Sequence, residues 1–256
     1  MNVNIFSKLI NEYIKPIVNK LGIEIKKYNR YPHDFTETDI KIWDTVKPFT
    51  MTTAESVRVL IDAVKYVVEN NVEGDLVECG VWKGGSAMTI ALALKEMGKE
   101  DREIYLYDTF AGMSAPTDKD ISKLWGKASD IFLTTRTSKD ASNWCLSSLD
   151  EVKNNLKKTS YSKARIHYIQ GKIEDTIPKT MPKKIALLRL DTDWYKSTKH
   201  ELVHLFPKLS KNGILILDDY GDWEGAKKAV DEYIKENNLC LFLSRIDESA
   251  RIALKI

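Results

Sequence analysis

The spacing of apolar residues changes character near Asn70. Upstream, they recur at helical intervals. Ile5, Phe6, Leu9, Ile10, Tyr13, Ile14, Ile17, Val18 and Leu21 make one stripe, with Lys8, Lys15 and Lys20 beside it. Val57, Leu60, Ile61, Val64, Val67 and Val68 make another, behind the helix-start signal Thr53-Ala54-Glu55-Ser56. Residues 1–72 therefore read as a helical extension packed on the rest of the chain. Downstream, short apolar strands alternate with helices. The pattern predicts strands at 76–79, 104–107, 166–169, 185–190 and 214–217, and helices at 86–97, 149–156, 200–209 and 226–234. Segments 239–244 and 252–256 would close the sheet as an antiparallel hairpin. Ile185-Ala186-Leu187-Leu188-Arg189-Leu190 and Ile214-Leu215-Ile216-Leu217 are nearly all apolar, as strands covered on both faces are. The alternation predicts an α/β fold, with a doubly wound, mostly parallel sheet over 73–256 and ligands at the carboxyl ends of its strands. Residues 111–146 interrupt it with a long, polar, aperiodic stretch, which predicts a lid.

The chemistry-bearing residues fall at those strand ends. Glu78-Cys79-Gly80-Val81-Trp82-Lys83-Gly84-Gly85-Ser86 joins the first strand to its helix. Glycines there admit a ligand to the backbone, and Ser86 opens a helix with free N–H groups. The spacing is neither the dinucleotide fingerprint nor a P-loop. Asp108 ends the second strand, where an acid suits ribose hydroxyls or caps a helix. Gly171-Lys172-Ile173-Glu174-Asp175 follows the third strand; an acid there suits an adenine amino group or a turn. Asp191-Thr192-Asp193 and Asp218-Asp219 follow the two most apolar strands. A single Asp at such a place is explained by capping. Two acidic groups at neighbouring strand ends repel one another unless a cation or a proton joins them. Carboxylates without Cys or His suit a hard cation, most simply Mg²⁺.

His200-Glu201-Leu202-Val203-His204 matches the HExxH zinc signature, with Glu224 downstream. The strand between them and the helix's apolar face, Leu202, Leu205, Phe206 and Leu209, place it outside the sheet and speak against zinc. The chain has 256 residues, 43% hydrophobic, enough for a substantial core and against wholesale disorder. Its 39 Lys+Arg against 37 Asp+Glu give a net charge of +2, which offers no steering toward nucleic acid. Cys79, Cys145 and Cys240 lie far apart, so a reducing, cytoplasmic setting is expected. The amino-terminal MNVNIFSKLI lacks a signal-peptide core, and no apolar run is long enough for a transmembrane span. The basic stripe over 5–21 suits burial against protein, including a second subunit of a homo-oligomer, better than a membrane surface.

The segments DLVECGVWKGGSA, YLYDTFAGM, GKIEDTIP, LLRLDTDWYKSTKHELVHLFPKL and GILILDDYGDWEGAKKAVDEY, in this order, resemble the macrocin O-methyltransferase family from about Thr50 to about Tyr233. That family includes sugar O-methyltransferases of macrolide and aminocoumarin biosynthesis. The resemblance implies a Rossmann-like class I methyltransferase using S-adenosylmethionine and Mg²⁺. It implies that Glu78, Gly80 and Ser86 lie along the methionine and ribose of the cofactor, that Asp108 holds the ribose hydroxyls, and that Asp175 lies near the adenine. It implies Asp191, Asp218 and Asp219 as metal ligands and Asp193 as general base, with Asp191 able to exchange roles with it. The metal set is similar to that of catechol O-methyltransferase, whose Lys base three residues after its first metal Asp is replaced here by Trp194. The acceptor implied is a small molecule or glycan bearing vicinal hydroxyls. A catechol-like phenol, or a non-catalytic cofactor-binding role, are the alternatives.

Overall fold

A computed structural model of the chain describes residues 14–22 and 31–256, without the side chain of Asn19. Two compact units divide after Asp34. The first contains helix α1 (Lys15–Lys20); the rest of the 5–21 stripe falls largely outside the described residues. The second unit, Phe35–Ile256, holds the sheet together with helices α2 (Glu37–Val46) and α3 (Ala54–Glu69).

Local chemistry starts both helices. Thr36 caps α2: its hydroxyl accepts from Asp39 N at 3.2 Å, and Asp39 Oδ2 accepts from Thr36 N at 2.9 Å, a reciprocal capping box. Asp39 is fully buried, and Arg58 and Lys65 offset its charge. Thr53 caps α3 by accepting from Ser56 N. The hydroxyls of Thr53 and Ser56 both donate to Asp247 Oδ2 at 2.7 Å, which ties α3 to the C-terminal hairpin. The Val57, Leu60, Ile61, Val64, Val67 and Val68 stripe is buried as its spacing requires.

From there strands and helices alternate: β1 (Asp75–Cys79), α4 (Gly85–Glu96), β2 (Ile104–Asp108), the short β3 (Ile121–Ser122) and β4 (Gly126–Lys127), α5 (Ala128–Thr135), α6 (Leu149–Leu156), β5 (Ile166–Gln170), α7 (Ile173–Thr176), β6 (Ile185–Leu190), α8 (Tyr195–Leu205), β7 (Leu209–Leu217), α9 (Glu224–Glu236), β8 (Ser244–Arg245) and β9 (Arg251–Leu254). The main sheet runs β5-β2-β1-β6-β7-β9-β8. The first five of these strands are parallel, and β9 and β8 add antiparallel pairings. This is the Rossmann-like class I methyltransferase arrangement. All six residues of β6 are buried, as the apolar run predicts for the sheet centre.

Several elements differ from their sequence-based expectation. Helix α8 starts at Tyr195 rather than at residue 200, because the chain turns at once after Asp193, whose φ is +62°. Strand β7 begins at Leu209 and carries exposed Lys211 and Asn212 before its apolar half. Of the 239–244 segment only Ser244 joins a strand, which ends at Arg245; Leu239, Leu241 and Leu243 pack as irregular chain against the core. The 111–146 segment is not structureless, since it holds the β3–β4 hairpin and α5.

Chain order reverses direction at β1. It proceeds outward through β2 and β5, then returns to the other side of β1 as β6. The carboxyl ends of β1 and β6 flank this switch point, where a parallel sheet leaves a crevice.

Candidate active site

A cavity of about 700 Å³ opens over that crevice. Gly80 closes β1 with φ +82° and lies against the chain leaving β6. A Cβ there would stand 1.7 Å from the carbonyl oxygen of Asp191, so the approach of the two strand ends requires glycine. Asp191 N donates to Cys79 O at 2.8 Å, and Asp218 N donates to Leu190 O at 2.9 Å, which brings the ends of β1, β6 and β7 into register.

Arg189 organises the charges beneath. It is the one ionisable residue of β6 and is 3% exposed. Its guanidinium donates to Glu78 Oε1 at 2.8 Å, Asp191 Oδ2 at 2.7 Å and Asp218 Oδ1 at 2.6 Å. A lone cation on a strand buried on both faces must find buried anions. That signal stands in the sequence, and reading the strand simply as apolar passes over it. Glu78 Oε2 has no hydrogen-bond partner among the described residues. Burial and the charges of Asp191 and Asp218 push the Glu78 carboxyl up to about 8, against the opposing pull of Arg189.

One oxygen from each of Asp191, Asp193 and Asp219 lies within 4.8 Å of the others, and no other such group of potential metal ligands occurs among the described residues. Asp219 Oδ2 accepts from Asp193 N at 3.0 Å. Trp223 N donates to Asp219 O at 3.0 Å. Burial first, and then mutual repulsion, push both the Asp193 and Asp219 carboxyls well above the usual carboxylate range. Asp218 stands beside them with Oδ1 taken by Arg189; burial and its acidic neighbours push it up to about 7. Asp191 and Asp219 thus belong both to the expected ligand set and to the geometric one, whereas Asp193 converges more closely than Asp218.

The remaining expected residues divide. Gly80, Ser86 and Glu78 line the cavity. Asp108 lines it too, but its oxygens are engaged by the protein. Oδ2 accepts from Val81 N at 2.7 Å and Trp82 N at 3.2 Å, and Oδ1 accepts from Phe110 N at 2.7 Å. Its carboxylate therefore pins the glycine loop to the end of β2. Burial raises its pKa and these N–H groups oppose the rise. Asp175 is exposed and does not line the cavity, while Glu174, one residue earlier, does.

The HExxH segment forms no metal site. Glu201 is fully buried and accepts from Thr192 Oγ1 at 2.9 Å, which supports the turn between Asp191 and Asp193. His200 Nε2 is engaged with Ile177 O at 3.0 Å. Apolar side chains, several of them from the 111–146 segment expected as a lid, complete the site. Met51, Met113, Trp125, Ile131 and Trp144 line it from above, and Trp144, Trp194 and Trp223 pack edge to face.

Most of the chain is similar to known proteins. The family model of macrocin-O-methyltransferase (TylF) matches residues 23–253. Demethyldecarbamoylnovobiocin O-methyltransferase of Streptomyces niveus is 34% identical over 186 residues, covering 72% of this chain and 67% of the relative. The 8-demethyl-8-(2,3-dimethoxy-alpha-L-rhamnosyl)-tetracenomycin-C 4'-O-methyltransferase of Streptomyces olivaceus is 29% identical over 191 residues, 73% of this chain and 69% of the relative. The solved structure of the O-methyltransferase NovP superimposes with a TM-score of 0.72 over 99% of both chains at 24% identity, a likeness of fold. The matched span takes in the glycine loop, both acidic strand ends and the 111–146 segment between them, and on that ground the chain belongs to the macrocin-O-methyltransferase family of O-methyltransferases.

Proposed function

We propose that this enzyme transfers a methyl group from S-adenosylmethionine to a sugar hydroxyl with the help of Mg²⁺, and that residues 111–146 act as the lid. The observation that carries this reading is the convergence of Asp191, Asp193 and Asp219 in a cavity beside the Gly80 loop. The donor set fits the metal: it is all oxygen, it has no soft ligand, and its charges repel one another without a cation. The cavity also fits a sulfonium cofactor. Among its described lining residues Lys172 is the sole basic side chain, and the buried Glu78 Oε2 lacks a partner that an ammonium group would supply.

Asp191 and Asp219 would hold the metal, with Asp218 or Asp193 completing the set. Glu78, Gly80 and Ser86 would line the methionine and ribose, and Asp108 would fix the loop that holds them. Bound Mg²⁺ lowers the proton affinity of an acceptor hydroxyl, and S-adenosylmethionine supplies an already activated methyl group. The chain's own task is alignment and proton removal. Asp193, which converges with Asp191 and Asp219, would take the hydroxyl proton on a carboxylate oxygen. Arg189 keeps Asp191 oriented, and Glu201 holds Thr192 so that Asp191 and Asp193 face one point. Trp125, Trp144 and Trp223 line the cavity and would offer apolar faces to a sugar ring. They also favour a second reading, a catechol-like phenol, which would stack on the same rings. The rhamnosyl acceptor in the name of one relative supports the sugar.

Calorimetric titration of S-adenosylhomocysteine, followed by methyl transfer to simple glycosides and catechols with and without EDTA, tests the reading. Micromolar binding and an EDTA-sensitive sugar product are expected. A wild-type protein that binds no S-adenosylhomocysteine would overturn it.

A further inference from the structure

The lid is fastened to the same two chain segments that carry the carboxylates. Ser122 Oγ donates to Asp222 Oδ1 at 2.6 Å, and Ser122 bridges to Trp223, whose N–H donates to Asp219 O. Trp194 Nε1 donates to Ser114 O at 3.1 Å. Among these ties Asp120 is the most enclosed. It is 1% exposed, although it belongs to a segment whose neighbours Lys119 and Lys123 are exposed. Its Oδ2 accepts from Thr117 N at 2.6 Å and Thr117 Oγ1 at 2.8 Å, which folds the lid's own turn. Its Oδ1 accepts from Tyr195 N at 2.7 Å, the first residue of α8 and two residues after Asp193. The chain also leaves space for it: a Cβ on Gly225, in the first turn of α9, would stand 2.0 Å from that oxygen. The carboxylate is therefore packed between the starts of the two helices that follow the acidic strand ends, where helix N-termini favour negative charge.

We propose that Asp120 is a positioning residue that couples the lid to the carboxylates: with its tie to Tyr195 N in place, Asp193 is held where its side chain meets Asp191 and its N–H supports the metal-holding carboxylate of Asp219. A lid that shifts then moves Asp193 with it, so acceptor capture and alignment of the site become one event. The metal part of this inference rests on the function proposed above; the fastening of the lid does not.

The test is Asp120→Ala, read by calorimetric titration of Mg²⁺ into protein saturated with S-adenosylhomocysteine, and by trypsin cleavage after the exposed lid residues Lys123 and Lys127. Expected are Mg²⁺ affinity weakened by about tenfold or more, as for other supports of metal ligands, faster cleavage of the lid, and unchanged S-adenosylhomocysteine affinity. Asp120→Asn keeps an acceptor for Tyr195 N and should restore most of the Mg²⁺ affinity. A folded Asp120→Ala protein with wild-type Mg²⁺ affinity would overturn the coupling, as would an asparagine variant equally impaired. Should the alanine variant not fold, Gly225→Ala decides, because its methyl group pushes on the same oxygen. Weakened Mg²⁺ binding supports the proposal, and wild-type binding refutes it. A wild-type protein that binds S-adenosylhomocysteine but no Mg²⁺ would instead count against the metal reading itself.

Discussion

Glu201 offers a sharp test, because the HExxH motif and the structure assign it opposite behaviour. The side chain is fully buried beneath Thr192; Oε1 accepts one hydrogen bond, and Oε2 has no partner among the described residues. Burial, followed by the nearby charges of Glu174, Asp191 and Asp193, raises its pKa from the usual 4.5 to about 8, and the Thr192 bond only partly opposes this. Between those two values the folded chain keeps a proton that the unfolded chain has lost. Stability attributable to this group therefore falls as pH rises, and the fall ends above the folded value. At about 1.4 kcal/mol per pH unit, the ceiling between pH 6 and pH 8 is about 2.7 kcal/mol. Glu201→Gln has the shape of the protonated acid and cannot ionise. Its amide still accepts from Thr192 and leaves its N–H groups unsatisfied, a cost that does not vary with pH. Urea unfolding of wild type and variant across this pH range, without metal, should therefore show the variant gaining roughly 1–3 kcal/mol relative to wild type as pH rises. Methyl transfer should change little, since Glu201 does not line the cavity. A stability difference constant with pH would refute the burial argument. Abolished activity in a well-folded variant would restore Glu201 to a direct chemical role.

Three further outcomes are expected. Arg189→Met removes the cation that, among the described residues, alone pairs with Glu78, Asp191 and Asp218 and should cost about 3–5 kcal/mol in chemical denaturation, as breaking buried pairs does; added Mg²⁺ should recover part of it. Gly80→Ala forces a methyl group onto Asp191 O in a backbone conformation that disfavours it, and should lose S-adenosylhomocysteine binding in calorimetry. Asp193→Asn and Asp218→Asn separate the two remaining carboxylates by role. The one that is base should lose methyl transfer with Mg²⁺ affinity kept, and the one that is ligand should lose Mg²⁺ affinity by about tenfold or more in calorimetry.

The parallel strands were legible because burial on both faces leaves a nearly continuous apolar run, and β6 and β7 show it. Their ends were legible because acidic residues after such runs have no place in a core. Boundaries set by tertiary contact were less so. Helix α8 starts five residues early because Tyr195 N finds the Asp120 carboxylate 75 positions away, a partner that local spacing does not reveal. The polar character of 111–146 concealed structure for a similar reason: Asp120, Ser122 and Ser142 are buried through bonds to distant chain, not through hydrophobicity.

Roles within the site were harder to read than membership of it. A carboxylate at the end of β2 is what a ribose-binding fold displays, yet Asp108 spends its acceptor capacity on Val81, Trp82 and Phe110 N–H groups. These bonds set the shape of the glycine loop. Asp175 and Glu174 differ by one position in a short helix, and only the turn of that helix decides which faces the cavity. The same holds for the acidic pairs. Asp191 and Asp193 have alternate positions on an extended chain, which would aim both one way. The left-handed backbone at Asp193 brings its carboxylate to both Asp191 and Asp219, while Arg189 takes up Asp218 Oδ1. Residue type specified a cation-seeking site; which oxygens close it depends on one buried arginine and one turn.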